Sequence, residues 1–342
     1  MGYYDRLAAG IRCAPPVQAR SLRLDVRSSV QEPPGAPSMN SIQPTTQTLL
    51  RPRFEGANIR TWIGFKHLLY MVEEAILQWF REHGPGPQSL FHEHGLELEI
   101  MDCSAQLIAL LEIDDEVIAE AAPSQGNQFA VRLLARRRGS DVVSVKAKVQ
   151  VALIPEKGGA GKPLPEKMAP WAFRPAVSQD DLLLTPGQSA ASALTPAGSR
   201  AFLWPWRARY FHCHYSDRVQ HSAYVRALEE VVDRFLEARG ISVERMLRDY
   251  RWIPVVSRVR VTILADAHME ETVYTTFTVD DVMKGITFDG RMDCYVQRGN
   301  RLVHTATARI LHGYAISEGE RAGQLAELDQ ATIDALTAES RS

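Results

Sequence analysis

The sequence predicts an α+β protein built from two copies of one domain, each with antiparallel strands wrapped around one long helix. The first observation is a repeated amphipathic helix: VEEAILQWFREHG at 72–84 returns as LEEVVDRFLEARG at 228–240. The second is that runs of alternating and partly β-branched residues follow each helix. The third is a hairpin pattern about a glycine at the end of each copy. One helix followed by several antiparallel strands is typical of an α+β fold.

The repeat extends beyond the helix at a nearly constant offset. Arg51–Phe54 (RPRF) corresponds to Arg207–Tyr210 (RARY) at an offset of 156 residues, and Asp115–Val117 corresponds to Glu271–Val273 at the same offset. Two copies are too few for a solenoid, which needs three or more units. They predict two halves that pair about a pseudo-twofold axis, as the subunits of a homodimer do.

The elements of each copy follow in one order. A short opening strand is predicted at Arg51–Phe54 and at Arg207–Phe211, before an irregular stretch and the long helix. Strand patterns follow the two helices, GLELEIMDCSAQLIALLEI in the first copy and PVVSRVRVTILADAHM in the second. The final hairpins turn at Gly139 and Gly299, an offset of 160, which predicts a small insertion in the second copy.

The composition divides the chain into five segments, two of which are the repeated domains. Residues 1–48 are rich in Pro, Ser, Gln and Arg and are expected to be a disordered N-terminal tail. The two domains occupy 49–154 and 201–320. Between them, 155–200 is a linker rich in Gly, Pro, Ser and Ala, and 321–342 is a C-terminal tail.

The 342 residues are 45% apolar and 23% charged, which is ordinary for a soluble globular protein. A formal net charge of −2 provides no global attraction to nucleic acid or to an anionic membrane. No run approaches the ~18 apolar residues of a membrane span. The four cysteines lie far apart without a C-x-x-C spacing, so a reducing cytoplasm is expected.

These residues resemble the hotdog fold, and within it the thioesterases of the 4-hydroxybenzoyl-CoA type. The features that carry the resemblance are the Arg-x-x-aromatic opening, the loop before the helix, and EEA or EEV within the helix. An acidic strand start (DDEV or EETV) and the glycine hairpin complete it, over roughly 51–154 and 207–317. The resemblance implies a double hotdog: two antiparallel sheets, each wrapped around a long central helix, arranged as a pseudo-dimer. It also implies pockets between the halves and thioesters of CoA or an acyl carrier protein as substrates.

The resemblance implies where the thioester carbonyl binds. The free N–H groups of a helix N-terminus polarise a carbonyl without any special side chain. Aligned with the family, the carbonyl-binding amide falls at Phe65 in the first copy and at His221 in the second. Their neighbours Gly64 and Gln220 complete the two helix starts.

One branch of the family uses a helical glutamate, and this matches Glu73 and Glu229. At ~100° per residue, Glu73 lies on the flank of the apolar stripe of its helix, whereas Glu74 lies opposite. Glu229 and Glu230 repeat this arrangement in the second copy. A flanking glutamate is also what the solvated edge of an ordinary amphipathic helix contains.

Another branch keeps an aspartate in the loop before the helix, where this sequence has Asn58 and His214. Asparagine cannot act as a base or nucleophile at neutral pH, although it can orient a water, whereas His214 can act as a base. Asp217 and His221, four residues apart, are further catalytic candidates. The alternative is that Asp217 is the N-terminal cap of the second helix and His221 a polar residue of its first turn.

Two short His-containing motifs invite a metal interpretation, because strand residues i and i+2 share a face. His92-Glu93-His94 and His212-Cys213-His214 each lack a convincing third ligand, and they do not correspond in the repeat. No metal and no cofactor are therefore expected.

Three functions are compatible with this pattern. The first is an acyl thioesterase, releasing for example a polyketide or fatty acyl chain from CoA or a carrier protein. The second is a dehydratase of 3-hydroxyacyl thioesters that pairs His214 or His221 with Glu73 across the halves, although its His-x-x-x-Gly loop is missing. The third is a non-catalytic acyl-binding protein, which Asn58 favours. The acyl chain, the carrier, the working half and the start codon stay open, as does the oligomeric state, for which a homodimer of double hotdogs is one option.

Overall fold

A computed structural model describes residues 44–137, 139–156, 161–172 and 181–339. Most of the predicted disordered tail lies outside these residues. The described part of the first half contains two helices and five strands. Their bounds are β1 Thr46–Leu50, α1 Phe65–His83, α2 Pro87–His94, β2 Leu96–Leu107, β3 Glu116–Pro123, β4 Gln128–Arg137 and β5 Ser140–Pro155.

The second half repeats these elements in the same order. Its main elements are β7 Phe202–Arg207, α4 His221–Ala238, α5 Val243–Tyr250, β8 Trp252–Ile263, β9 Thr272–Met283, β10 Thr287–Arg298 and β11 Arg301–Ile316. The segment between the halves contains the two-residue strand β6 Leu182–Leu183 and the short helix α3 Ala190–Leu194. Helix α6, Gln330–Thr337, lies in the predicted C-terminal tail and buries Leu336.

The strands form one 11-stranded sheet in the order β1-β3-β4-β5-β2-β8-β11-β10-β9-β7, with β6 paired to β11. Read from either end, the order passes through the corresponding strands of the two halves in the same sequence. The halves join where β2 pairs with β8, and Ser104 faces Arg260 at the centre of that register. These two residues correspond at the offset of 156, so the pseudo-twofold axis passes through their pair. The predicted double-hotdog, α+β fold is confirmed, with the two predicted sheets continuous across the axis.

Irregularities in the sheet repeat as faithfully as its strands. In β2 the extra residue of a bulge is Met101, and in β8 the register shifts at the corresponding Ser257. The final hairpins shift between Leu133 and Leu134 and between Cys294 and Tyr295. These positions give an offset of 161 rather than the predicted 160, because the glycines occupy different positions of the two-residue turns. A bulge redirects the strand, so its conservation between halves keeps both sheets equally curved.

Helices α1 and α4 lie inside the curved sheet, with their apolar stripes buried. In α1 the stripe includes Val72, Ile76 and Trp79, which are almost fully buried. In α4 it includes Leu228 and Phe235. The periodicity of each helix therefore predicts its buried face correctly. No helix of the described residues is long and apolar enough to cross a membrane.

The opening strands were predicted too late in the chain. Strand β1 ends at Leu50 and β7 ends at Arg207, whereas Phe54 and Tyr210 begin short 3-10 helices. In the first half Pro52 has no N–H to donate to a sheet, which favours an end to the strand before it. The Arg-x-x-aromatic motif therefore marks the exit from the edge strand.

Candidate active site

Two regions, one on each side of the contact between α1 and α4, are related by the pseudo-twofold axis and are called clefts here. The helices touch at that axis, where Nη1 of Arg226 lies 3.4 Å from the Tyr70 hydroxyl, and these residues correspond at the offset of 156. One cleft, here the Glu73 cleft, contains Glu73 of α1 and the first turn of α4. The other, the Glu229 cleft, contains Glu229 of α4 and the first turn of α1.

Glu73 is partly buried, and burial of its carboxyl group raises its pKa to about 7. The neighbouring Glu74 raises it further, while the Arg226 cation lowers it. Burial raises the pKa of the Cys103 thiol most, the charge of Asp102 raises it further, and the negative charge of Glu73 makes a smaller contribution in the same direction. Cys103 lies in β2 beside the second half, so the charge of Glu73 is felt at the junction of the halves. A carboxyl group with a pKa near neutrality is suited to general base catalysis.

The first turn of α4 closes the other side of this cleft. Cys103 pairs with Val261 across the β2–β8 junction, and Nε2 of His221 lies 3.3 Å from the Val261 carbonyl oxygen. The amide of Gln220 donates to the His212 carbonyl oxygen at 3.0 Å. Among the described residues, the amides of His221 and Ser222 have no hydrogen-bond acceptor. Of the two amides predicted to bind a carbonyl here, that of His221 is available and that of Gln220 is not.

His221 itself is an unfavourable base. It is buried, and burial lowers the pKa of its imidazole to about 4. Its ring is directed toward the carbonyl of the sheet, whereas its amide lies at the helix start. His221 therefore offers its backbone to the cleft and keeps its side chain neutral.

The loop before α4 adds His214 and Tyr215 to the Glu73 cleft. Nε2 of His214 lies 3.5 Å from the Ser222 hydroxyl, and desolvation followed by the Arg226 cation lowers the pKa of His214. Tyr215 adopts a left-handed backbone with φ of 60° and stacks on Phe91. Its phenol senses the charge of Glu73, which contributes to raising its pKa. The loop thus carries one imidazole beside the Ser222 hydroxyl and one phenol that is influenced by the Glu73 charge.

A buried ion triad anchors this loop to the first half. Nη2 of Arg218 lies 2.7 Å from Glu97, and its Nε lies 2.9 Å from Glu99. The three side chains are 9%, 0% and 3% exposed. Trp62 corresponds to Arg218 in the other half, so this ionic anchor belongs to one cleft alone. Removing charges from water is costly, and such a triad is retained only with its partners in place.

The Glu229 cleft differs in charge. Nζ of Lys66, in the first turn of α1, lies 3.3 Å from the Glu229 carboxylate. The amide of Gly64 donates to the Gly56 carbonyl oxygen, which leaves the amide of Phe65 without an acceptor among the described residues. Asn58 is exposed, and its side-chain amide, in its favoured orientation, donates to the carbonyls of Ile59 and Trp62 in its own loop. This cleft has the predicted helix start and glutamate, but the positive charge of Lys66 lies beside that glutamate.

Two sequence interpretations do not match the observed positions. Asp217 does not cap α4, because that helix begins at His221 with Gln220 as its cap, and the Asp217 carboxylate lies 3.4 Å from Nδ1 of His268. His92 and His94 lie on helix α2, not on a strand, so they do not share a strand face. The described residues contain no group of three potential metal ligands.

Arg226 and the Arg218 triad are the main site residues that sequence reasoning misses. Arg226 lies one turn before Glu229 on an amphipathic helix, where an arginine is ordinarily a surface residue. Its proximity to Glu73 depends on how α1 and α4 pack, and no local pattern contains that information. For the triad, the LELEI pattern of β2 does contain a signal. Its glutamates alternate with apolar residues in a strand that is buried, and buried glutamates require a cation as a partner.

A cavity of about 300 Å³ lies elsewhere, between the linker and the outer face of the second half. Thr276, Arg291 and Asp293 line it from β9 and β10. Their strand neighbours Phe277 and Met292 are buried against the opposite, inner face. This polar cavity is therefore separated from α4 by the sheet and does not belong to either cleft.

No family model matches the sequence, and no curated protein matches it. Solved structures do match. The 12:0-ACP thioesterase from Umbellularia californica is 11% identical, over 79% of this chain and 94% of that chain, with a TM-score of 0.55. A provisionally named oleoyl thioesterase from Lactobacillus plantarum is 11% identical, over 79% and 96%, with a TM-score of 0.53. A 4-hydroxybenzoyl-CoA thioesterase from Pseudomonas sp. strain CBS-3 is 14% identical, over 40% and 99%, with a TM-score of 0.37. The first two likenesses support the fold assigned above.

Proposed function

We propose that the protein is an acyl thioesterase that hydrolyses an acyl-CoA or acyl-carrier-protein thioester in the Glu73 cleft. The observation that carries this proposal is the pairing of two groups across the halves. Glu73, with a pKa of about 7, faces the start of α4, where the amide of His221 is available. The solved structures of the same fold that were named above include thioesterases, which supports the reaction type by analogy.

In the proposed reaction, the thioester carbonyl oxygen accepts a hydrogen bond from the His221 amide, at the positive end of the α4 dipole. Glu73 takes a proton from a water as the water oxygen bonds to the carbonyl carbon. The tetrahedral oxyanion then collapses, the carbon–sulfur bond breaks, and the leaving thiolate receives the proton held by Glu73. In the alternative use of the same residue, the Glu73 carboxylate attacks the carbonyl carbon, the carbon–sulfur bond breaks to release the thiolate, and water then hydrolyses the resulting anhydride to the free acid and the Glu73 carboxylate, with the proton released from water going to the thiolate.

His214 assists in this scheme. With its pKa lowered by desolvation and by Arg226, His214 is neutral at neutral pH and can orient the attacking water or the leaving sulfur. Asn58 and Asp217 receive no role here, because Asn58 bonds within its own loop and Asp217 pairs with His268. The reaction requires no metal or cofactor.

Three finer assignments belong to the same proposal. The substrate acyl group is carried by CoA or by a carrier protein, as in release of a polyketide or fatty acyl chain, by analogy of fold alone. The protein acts in the cytoplasm, which the free thiols of Cys103, Cys213 and Cys294 support. A homodimer of double hotdogs is the proposed assembly, again by analogy.

The test compares three single substitutions on thiol release from acyl-CoA substrates. Glu73→Gln is expected to lower kcat/KM by about 100-fold or more, the usual contribution of a general base. Glu229→Gln is expected to stay within about threefold of the wild type, since Lys66 already neutralises that group. Glu74→Gln is the matched control, because Glu74 is adjacent and pairs with Arg81 at the helix surface.

The same assay separates the alternatives. Enoyl absorbance from 3-hydroxyacyl-CoA, lost on His214→Ala, would identify a dehydratase. Tight binding of acyl-CoA with neither product would identify an acyl-binding protein. Equal loss of hydrolysis in Glu73→Gln and Glu74→Gln would remove Glu73 from the mechanism.

A further inference from the structure

The outer face of the second half carries polar residues on two neighbouring strands. Alternate residues of a strand share one face of the sheet. Those of β9 and β10 that line the cavity of about 300 Å³ described above are Thr276, Thr278, Arg291, Asp293 and Tyr295. Small-molecule sites in proteins have volumes of roughly 300–1,000 Å³, so this cavity is large enough for a small ligand.

The linker forms the roof of this cavity. A buried apolar cluster attaches the linker to β11, and it consists of Leu184, Ala190, Leu194 and Leu302. Oδ1 of Asp181 accepts a hydrogen bond from the His304 amide at 3.1 Å, which adds a polar attachment. After the apolar cluster, Ser199 and Arg200 line the cavity from the linker side. The roof is therefore held to the strands by both apolar and polar contacts.

Asp293 is the centre of an ion network in the floor of the cavity. It is 6% exposed, Nε2 of His304 lies 3.2 Å from its Oδ1, and the Thr307 hydroxyl donates to that oxygen at 2.8 Å. The Arg291 guanidinium pairs with the other oxygen and also with Asp280. Burial acts to raise the pKa of Asp293, but the hydrogen bonds from His304 and Thr307 and the Arg291 cation lower it below its ordinary value. Asp293 is therefore ionised and already paired.

The corresponding face of the first half has a different chemistry. At the offset of 161 that relates the final hairpins, Arg132 corresponds to Asp293 and Val143 to His304. Arg132 is half-exposed and pairs with Glu120 at 2.8 Å, which is an ordinary surface ion pair between neighbouring strands. The repeated fold thus forms without a buried carboxylate at this position. The buried Asp293–His304 pair beside the cavity is a feature of the second half alone.

Arg200 is the cation of this cavity that is left without an acidic partner among the residues that the structure describes. It is exposed, and Nη2 of Arg239 donates to its carbonyl oxygen at 3.2 Å, which fixes its backbone. Thr278 and Ser199 add hydroxyl groups to the lining. The Ser199 oxygen accepts from the Ala201 amide at 3.0 Å, so its own proton is available to a ligand. A guanidinium with neighbouring O–H donors is suited to a group with anionic oxygens.

We propose that this cavity binds a small polar molecule with an anionic oxygen group, a carboxylate or a phosphate, which pairs with Arg200. The Tyr295 ring stacks on His304, with centroids 4.6 Å apart, and provides a rigid wall for the body of the ligand. The sheet separates this site from α4, so it is distinct from the Glu73 cleft. The inference therefore does not rest on the proposed function.

The experiment compares three probes that share one carbon skeleton: glycerol 3-phosphate, glycerate and glycerol. Binding to the full chain is measured by isothermal titration calorimetry and by ligand-observed NMR. Arg200→Gln removes the proposed cation, and Thr278→Phe fills the cavity with a ring. Arg258→Gln is the matched control, because Arg258 is an exposed arginine of β8 that does not line the cavity.

At least one of the two anions is expected to bind about tenfold or more tightly than glycerol, and their comparison distinguishes phosphate from carboxylate. Arg200→Gln is expected to weaken binding of that anion at least about tenfold and to leave glycerol unchanged. Thr278→Phe is expected to abolish binding, whereas Arg258→Gln is expected to bind as the wild type does.

A wild type that binds neither anion more tightly than glycerol would overturn the proposal, as would equal losses in Arg200→Gln and Arg258→Gln. If Thr278→Phe does not fold, Arg200→Gln decides alone, since Arg200 is exposed. No thioester is present in these titrations. Failure of the proposed function would therefore appear in the thiol-release assay and leave the anion titrations unchanged.

Discussion

Lys66 on α1 and Glu229 on α4 form an ion pair across the two halves, with Nζ 3.3 Å from the carboxylate. The corresponding residues in the other cleft are Ser222 and Glu73, and Ser222 carries no charge. The carboxylate of Glu229 therefore has a cation beside it, whereas that of Glu73 has none at the equivalent position. One duplicated framework thus provides two carboxylates in different surroundings, and burial raises the pKa of Glu73 toward neutrality.

The first prediction concerns the pH dependence of hydrolysis. The base form of Glu73 is its carboxylate, so kcat/KM is expected to rise with pH and to level off above an apparent pKa of about 7. Initial rates of thiol release across the pH range measure this limb. Glu229→Gln should leave the limb in place, and a limb near the ordinary glutamate value would contradict the assignment.

The second prediction concerns Arg226, whose positive charge favours the Glu73 carboxylate and lowers its pKa. Arg226→Gln removes this cation, so the acid limb is expected to move to higher pH. Arg226→Lys keeps a cation and should restore much of the wild-type profile, although not its geometry. A fall in kcat at every pH with no movement of the limb would indicate a purely structural role for Arg226.

The third prediction concerns stability. Because the pKa of Glu73 is raised in the folded state, the folded protein holds this proton more tightly than the unfolded chain. The wild type therefore loses stability as pH rises from the ordinary glutamate pKa to about 7, and the loss is complete above that. Glu73→Gln, which stays neutral, is expected to raise the free energy of unfolding by on the order of 1–3 kcal/mol at about pH 8 and by less at about pH 5.

Urea denaturation of the two proteins at both pH values measures this difference. Glu74→Gln is a partial control: it leaves Glu73 ionisable but removes one of the charges that raise its pKa, so a smaller gain in stability than that of Glu73→Gln is expected. A variant that loses activity while gaining stability would show that the buried carboxylate is kept for its chemistry. Equal stability of Glu73→Gln and wild type at the higher pH would mean that the carboxylate is not desolvated.

The fourth prediction concerns the buried ion triad. Arg218→Met leaves the carboxylates of Glu97 and Glu99 buried without their cation, and is expected to cost about 3–5 kcal/mol of unfolding free energy. Replacing all three by apolar residues, as in Arg218→Met with Glu97→Leu and Glu99→Leu, should recover most of this loss. Denaturation curves of the single and triple variants measure the two unfolding free energies. A triple variant no better than the single one would show that the triad is required for packing the loop.

The sequence predicted the architecture because its physical cause is local and repeated. Hydrophobic periodicity identified the buried stripes of both long helices, and it separated Glu73 from Glu74 by angle alone. It misplaced the opening strands, since Arg51–Phe54 looks extended but follows the edge strand.

The repeat determined by itself that two similar folds would pair, because the burial of an apolar stripe depends on spacing that the sequence records directly. Which glutamate is desolvated and which lies beside the Lys66 cation were decided only by the tertiary structure. A pKa depends on burial and on nearby charges, and for Glu73 one of these charges, Arg226, comes from a segment more than a hundred residues away in the sequence. The two similar helices could therefore be recognised from the sequence, whereas their different chemistry could not.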